Sequence, residues 1–497
     1  MNRGVPGLPA RLRTGLVVLA VLALCGLGVW RRIQVVVEYR NFAGDGWQYY
    51  RLAQNLSGDA HRFAFAPPPV PLAWSRLPGY PLLVAAVGHG APRFNETDVA
   101  LRVCRTQAFL DGGTALVAFL LAAEVGLSVA PWLAAALCVF SPLLALLCAY
   151  ILSETLAVFL TTTTLWLLLR ACRTRQVLHL GLAGACLGAA LLCRADSVTL
   201  LPAFLVPLVG GTAPWRERGR AALCASLCAL AVFAPWPVRN VVRFGQPHAL
   251  GSSWVNRDGD PLPTGVQRWL STWAVEPRAA ADVAWKMTRA TPLSVSALPA
   301  DATDSPAERQ RVGALLDAYD RAGAITAAVD QGFAQLASER IARDRLRYLV
   351  RLPLRRAREM WWNPVPDWEL PATSRTLGLP EGRAQLQTLG HRTVIVAALG
   401  VLLLLLRRAG PGRALAALVL VTALARTTAV VFVVAGGTQR YLVELWPLLL
   451  CCAAVALLAP LEHALTPLLS PLAREASPPL ARGRERERER ERHHPPP

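Results

Sequence analysis

Ten apolar runs, parted by short connections rich in arginine, dominate the chain: 14–30, 104–123, 131–150, 154–169, 180–193, 198–210, 222–236, 391–406, 414–435 and 441–460. A helix needs roughly 20 such residues to cross a hydrocarbon core, and several runs fall short of that length. Short runs need tilt or neighbours. The pattern predicts an all-α fold, a polytopic transmembrane helical bundle with about 10 spans.

The first run, Thr14 to Trp30, follows Arg3, Arg11 and Arg13, as in a signal peptide, but has no small-residue cleavage site. It is expected to stay as a first transmembrane helix with its amino end cytoplasmic. Arg170, Arg173 and Arg175, then Arg216, Arg218 and Arg220, then Arg407, Arg408 and Arg413 mark connections that fall inside when spans are counted from that end. The expected organisation is a transmembrane core over 1–236 with an extracytoplasmic first loop at 31–100. A mostly helical extracytoplasmic segment over 237–390, transmembrane helices over 391–460 and a cytoplasmic tail over 461–497 follow. The tail, with its Arg–Glu tract from Arg484 to Arg492 and many prolines, cannot bury a core and is expected to be disordered.

Composition agrees with a chain folded in lipid: 54% of the 497 residues are hydrophobic and 17% charged. A net charge of +19 would suggest nucleic acid in a soluble protein. Here the basic residues flank apolar runs, so the lipid bilayer is the expected partner and nucleic acid is not. None of the 11 cysteines lies in 237–390, and most, such as Cys138, Cys186, Cys224 and Cys451, sit inside apolar runs as small hydrophobes. Neither a disulfide framework nor a thiolate metal site follows from that spacing.

Candidate chemistry concentrates in the first loop. Asp45, in Gly44-Asp45-Gly46-Trp47, precedes an amphipathic stretch with Tyr49, Tyr50, Leu52 and Ala53. Its carboxylate can cap that helix or accept a proton from a hydroxyl nucleophile. Arg76 opens the rigid turn Arg76-Leu77-Pro78-Gly79-Tyr80-Pro81, where it can hold a phosphate or anchor the chain at the bilayer boundary. Arg239 and Arg440 lie where the predicted topology returns to the same side, so that the three arginines can converge on a phosphate. Charges within or beside apolar runs, namely Asp111, Glu154, Arg194 and Asp196, point to a polar cavity between helices. Asp111 fits a packing partner or a site group, and Arg194 with Asp196 fits a structural pair.

The sequence resembles the membrane glycosyltransferases of the GT-C type, the superfamily of protein O-mannosyltransferases and lipid A aminoarabinose transferases. The resemblance runs over roughly 10–460. It rests on Gly44-Asp45 through the tyrosines and Asn55, Arg76 through Pro81, Arg102, Ser153-Glu154, Gly184 through Asp196, Pro235 through Gly245, and Arg440 through Pro447. Two departures stand out: Arg194-Ala195-Asp196 replaces an Arg-Pro-acid pattern, and Asp45 is followed by glycine instead of a second acid. The resemblance implies a polyprenyl-phosphate-linked sugar donor and a glycan, glycolipid or protein acceptor. It places the reaction on the extracytoplasmic face of the cell membrane, with no cofactor and no metal. Asp45 is the implied catalytic base, and Arg76, Tyr80, Glu154, Arg239 and Arg440 the substrate-binding set. A single attack at the anomeric carbon implies inversion. A lipid-carrier or solute transporter is the rival reading, and a noncatalytic membrane assembly factor a third.

Overall fold

The computed structural model describes residues 10–40, 42, 45–57, 76–89, 94–209, 214–245, 249–250, 263–275, 277–288, 290–363, 383–406, 411–434 and 439–458. Gly44, Ser75, Arg407, Arg408 and the tail 461–497 lie outside them. Among the described residues every regular element is a helix. The first half comprises α1 (Ala10–Tyr39), α2 (Gly46–Ser57), α3 (Gly79–Gly88), α4 (Glu96–Ala123), α5 (Ala130–Phe140), α6 (Pro142–Leu147), α7 (Glu154–Thr174), α8 (Val177–Cys193), α9 (Ala195–Val209, mostly 3₁₀), α10 (Trp215–Phe233) and α11 (Pro235–Phe244). The second half comprises α12 (Thr264–Leu270), α13 (Pro277–Thr288), α14 (Pro306–Ala322), α15 (Ala327–Arg343), α16 (Leu352–Trp362), α17 (Arg383–Leu406), α18 (Pro411–Ala429) and α19 (Arg440–Leu458).

The chain is a multi-pass membrane protein. Five described helices (α1, α4, α7, α18 with its continuation to Val433, and α19) are long and apolar enough to cross a bilayer. They become six if α10 and α11, bent by 47°, form one span. Shorter apolar helices occupy the other predicted runs, and polar or proline-bearing breaks divide two of them. Ser141-Pro142 separates α5 from α6, and Arg194 separates α8 from α9.

One of those breaks explains why α1 continues to Tyr39, past the loop start expected at Arg31. Pro142 has no N–H to give the Cys138 carbonyl, its helical partner four residues back. The Ser141 amide and Arg32 serve that carbonyl instead, the latter at 2.7 Å, and Arg32 also donates to the Val139 carbonyl. The same guanidinium pairs at 2.6 Å with Asp111 of α4, and both residues are buried. Asp111 is thus a packing partner for three helices. The neighbouring α8–α10 seam depends on a different device, the absence of side chains. A Cβ at Gly184 would stand 2.1 Å from the Ala225 carbonyl oxygen, so the two backbones meet directly.

Residues 264–343 build a second, separate hydrophobic cluster around Trp269, Trp273, Val312, Tyr319 and Phe333. The Tyr319 hydroxyl donates toward the carbonyls of Lys286, Met287 and Thr291 at 3.1–3.3 Å, and burial pushes its phenol up to about 12. Asp330 of α15 accepts from the first N–H groups of α12, at Gly265 and Val266. Arg356 of α16 joins this cluster to the bundle. Buried, it donates to the carbonyls of Ser271, Ala274 and Val431, the last in the π-helical turn Val430–Val434. Met360 then packs on Val430, Leu442 and Leu445.

Replacing Arg32 by methionine strands the Asp111 charge and takes a donor from two carbonyls, and breaking a buried pair costs about 3–5 kcal/mol. The variant should melt well below the native protein in detergent, and Asp111→Leu in the same chain should recover much of the loss. A melting temperature unchanged by Arg32→Met would refute the role given to this pair.

Candidate active site

Asp45 stands at the head of α2, where its backbone carbonyl accepts from the amides of Gln48 and Tyr49. Its carboxylate is engaged elsewhere. Arg76 donates to it at 2.7 Å, and Arg440 approaches its other oxygen at 3.7 Å. Arg76 also donates to Gln48 at 2.8 Å, which locks the guanidinium against the first turn of the same helix. The turn that carries Arg76 is held from behind: a Cβ on Gly79 would meet the Leu192 carbonyl at 2.8 Å, so α3 presses against the end of α8. That contact brings the first loop to the residue that follows α8, Arg194.

From there the charges continue inward without interruption. Arg440 donates to Glu154 at 2.5 Å, and Arg194 meets the same oxygen at 2.9 Å. Arg194 also pairs with Asp196 at 3.0 Å and Glu444 at 2.9 Å. Arg426 closes the far side with 2.6 Å contacts to Asp196 and Glu444, and Thr161 donates to Glu444. Four arginines (76, 194, 426 and 440) thus alternate with four acids (45, 154, 196 and 444), an array with no formal net charge. Arg426 and Glu154 are 0% and 1% exposed, whereas Asp45 and Arg76 keep about a fifth of their surface open. The array therefore runs from an accessible mouth to a closed root. One acceptor at that root is spare: the second carboxylate oxygen of Glu154 is buried with no hydrogen-bond partner among the described residues.

Tyrosines line the mouth. Tyr49 is buried, with the Arg76 guanidinium 5.9 Å from its ring centre. Burial and then the Asp45 charge raise its phenol above the ordinary value, with Arg76 opposing them. Tyr80, expected among the substrate contacts, is fully enclosed. Its hydroxyl donates to Gln107 at 2.6 Å, and Gln107 donates to the carbonyls of Cys148 and Tyr150. Its ring supports Tyr49 edge-on, so it is a shell residue whose aromatic bulk, not its hydroxyl, reaches toward the site.

Of the three arginines expected to converge, Arg76 and Arg440 meet at Asp45. Arg239 lies on α11, over the ring of Trp236 and donating to Asn240. Trp236 packs with Leu52 and Leu77, which puts α11 against the wall behind Arg76. Asp111 belongs to the separate pair with Arg32, and the Arg194–Asp196 pair expected to be structural is the hub of the array. Arg426 and Glu444 escaped the sequence reading. Their signal was present, since each is a lone charge inside an apolar run.

The opposite end of α7 carries a second, simpler cluster, in which Arg170 and Arg173 donate to Glu124 at 2.8 and 3.0 Å. α7 has 21 residues, about 30 Å of helix, so the array at Glu154 and the Glu124 cluster lie at opposite faces of the bundle.

Residues 94–238 match the family model of the dolichyl-phosphate-mannose-protein mannosyltransferases. The matched segment holds Glu154, Arg194 and Asp196 and leaves out Asp45, Arg76 and Arg440. No curated protein matches the chain in sequence. Among solved structures, the oligosaccharyltransferase of Archaeoglobus fulgidus tethered with an acceptor peptide is similar at a TM-score of 0.50 and 14% identity, over 90% of this chain and 50% of that one. The AglB oligosaccharyltransferase of the same organism, with an inhibitory peptide and a dolichol-phosphate, gives 0.47 and 15%, over 90% and 52%. ArnT from Cupriavidus metallidurans bound to undecaprenyl phosphate gives 0.38 and 13%, over 91% and 80%. The chain has the GT-C fold of membrane glycosyltransferases. It spans about half the length of the archaeal oligosaccharyltransferase it resembles.

Glu154→Gln should expose the coupling within the array. Arg440 and Arg194 would lose their shared carboxylate in a buried setting, a loss of about 3–5 kcal/mol. Glu124→Gln, whose arginine partners are 41% and 51% exposed, should cost far less. Equal melting temperatures for the two variants in the same detergent would contradict this ranking.

Proposed function

We propose that the protein transfers a sugar from a polyprenyl-phosphate-linked donor to a hydroxyl acceptor on the extracytoplasmic face, with inversion and without a metal. The observation that carries this reading is the convergence of Arg76 and Arg440 on the Asp45 carboxylate at an accessible mouth of the bundle. A sugar phosphate needs only a few things from a protein. Its phosphate already leaves well, so the site must orient the acceptor, take its proton and stabilise the charge that develops on the phosphate.

Arg76 and Arg440 are suited to the phosphate, which can take the place of Asp45 as their anionic partner. As they turn to it, the carboxylate is left to the incoming hydroxyl. The acceptor oxygen then bonds to the anomeric carbon, the carbon–phosphate oxygen bond breaks with its electron pair going to the phosphate, and Asp45 takes the proton. One displacement inverts the anomeric centre. Glu154 holds Arg440 in place from the buried side. The resemblance to polyprenyl-phosphate-dependent transferases supports the donor class, and the arginine-rich end of α7 supports the orientation. The acceptor class within this reading is a glycan, glycolipid or protein, and Arg239 is assigned to the donor wall beside Arg76.

Asp45→Asn keeps the side chain's size and removes its capacity to take the proton. The purified variant should fold and bind an undecaprenyl-phosphate sugar while losing at least about 100-fold in transfer. Native-like turnover would sink the assignment of Asp45 as base. Arg76→Leu should instead weaken donor binding, with Arg484→Leu in the tail as the comparison.

Orientation has its own test, favoured by native cysteines that are all buried or half-buried. A membrane-impermeant thiol reagent applied to intact cells should label a cysteine introduced at exposed Arg309 and leave one at exposed Arg216 unlabelled. The reverse pattern would place the site on the cytoplasmic face.

A further inference from the structure

A cavity of about 590 Å³ opens on the outer helical cluster, away from Asp45, between the Trp273 turn, the Asp301 turn and α16. Its polar lining is Asp301, Arg355, Arg358, Glu359 and Asn363. We infer that this cavity is the acceptor subsite and takes a hydroxyl-rich acceptor bearing an anionic group, carboxylate or phosphate. The word acceptor rests on the transferase reading above; the binding of an anionic saccharide does not.

The charges around the cavity separate structural arginines from available ones. Arg340 is spent on Glu308, Asp304 and the carbonyls of Asp301 and Ala302. Arg347 pairs with Asp304 at 2.8 Å, Arg351 with Asp344 at 3.8 Å, and Arg356 serves three carbonyls. Arg355 and Arg358, both exposed and both on the cavity wall, have no ion pair or hydrogen bond among the described residues. Two guanidinium groups on one cavity wall, unpaired among the described residues, suit a carboxylate or phosphate. Asp301, Glu359 and Asn363 add the acceptors and donors that sugar hydroxyls require, and Glu359 is already oriented by Asn363 at 2.6 Å. The volume falls in the range of sites for small and medium ligands.

Both walls are held in place before any ligand arrives. Arg340 fixes the backbone of Asp301 and Ala302, and Arg356 fixes the carbonyls of Ser271 and Ala274 on either side of Trp273. A pre-set wall loses little ordering entropy on binding. The cavity also adjoins the charge array through α16. Directly after Arg358 and Glu359, Met360 and Trp361 pack on Tyr441, Leu442 and Leu445, and Tyr441 follows Arg440 in sequence. The Trp361 and Trp362 carbonyls accept from His391 and Arg392, which seats the end of α16 on α17.

The test uses the full-length protein in nanodiscs and three probes: a galacturonate tetramer, a phosphorylated oligomannose and neutral maltotetraose. At least one acidic probe should bind more tightly than maltotetraose, and high salt should weaken it. Arg355→Gln with Arg358→Gln should reduce that affinity about tenfold or more. Arg351→Gln should leave it unchanged, and all variants should keep their melting temperature and donor binding. Preference for the phosphorylated probe over the uronate identifies phosphate as the recognised anion, and the converse identifies carboxylate. Failure of both acidic probes to exceed maltotetraose, or equal binding by the double variant, would overturn the proposal. Acidic-probe binding that depends on Arg355 and Arg358 in a protein that transfers no sugar would uphold the anion site and reject the transferase reading.

Discussion

Carboxylates and guanidinium groups enter a helical bundle only when each finds an opposite partner, because the desolvation of one unpaired ion costs several kcal/mol. The array from Asp45 to Arg426 meets that condition by alternation, and the condition organises the fold around it. Glu154 opens α7, Arg194 ends α8, Asp196 begins α9, Arg426 sits in α18 and Glu444 in α19. No two of these acids lie on one element, so the pairing can form only when all five helices are assembled. The interior end is closed and balanced, and only the mouth, at Asp45 and Arg76, keeps contact with solvent. A ligand's charge can therefore act where exchange of partners is cheap.

The same economy appears wherever a helix is interrupted. Arg32 reaches the Cys138 carbonyl, which Pro142 cannot serve, and Arg356 reaches the carbonyl of Val431 in a π-helical turn. In each case a buried arginine adds donors to backbone carbonyls at the interruption. Arginine suits this work because its fork of donors stays charged and can serve several acceptors at once. The net charge of +19 thus has an internal component that composition hides. Some of its arginines are solvent-facing anchors, and others hold broken helices together.

These constraints bear on function through the position of the mouth. Asp45 is presented by the first loop and Arg440 by the start of α19, so the candidate base and one candidate phosphate contact come from opposite ends of the chain. Glu154 holds Arg440 from below, and Asp45 lies on its other side at 3.7 Å. The outer cluster reaches the same region through α16, and Arg356 makes the connection rigid. A donor headgroup at the bilayer surface and an acceptor held by the outer cluster would then meet across one short segment, residues 440–445.

The periodicity and length of apolar runs determined the all-helical membrane fold, because hydrocarbon leaves a spanning chain no other way to satisfy its backbone. The first-loop acid and the arginine of the rigid turn were also legible, since Asp45 and Arg76 are polar residues placed beside turn formers. Helix ends were less so. Arg31 and Arg32 read as the end of a span until Asp111 and the Cys138 carbonyl were seen to satisfy Arg32 from 79 and 106 residues away. Tyr80 sat inside a suggestive motif, and only its contact with Gln107 showed that its hydroxyl is committed to the shell. Glu444 and Arg426 announced themselves as costly charges, but their partners did not. Local sequence states the cost of burying a charge; which distant residue offsets it is decided when helices from both halves of the chain pack together.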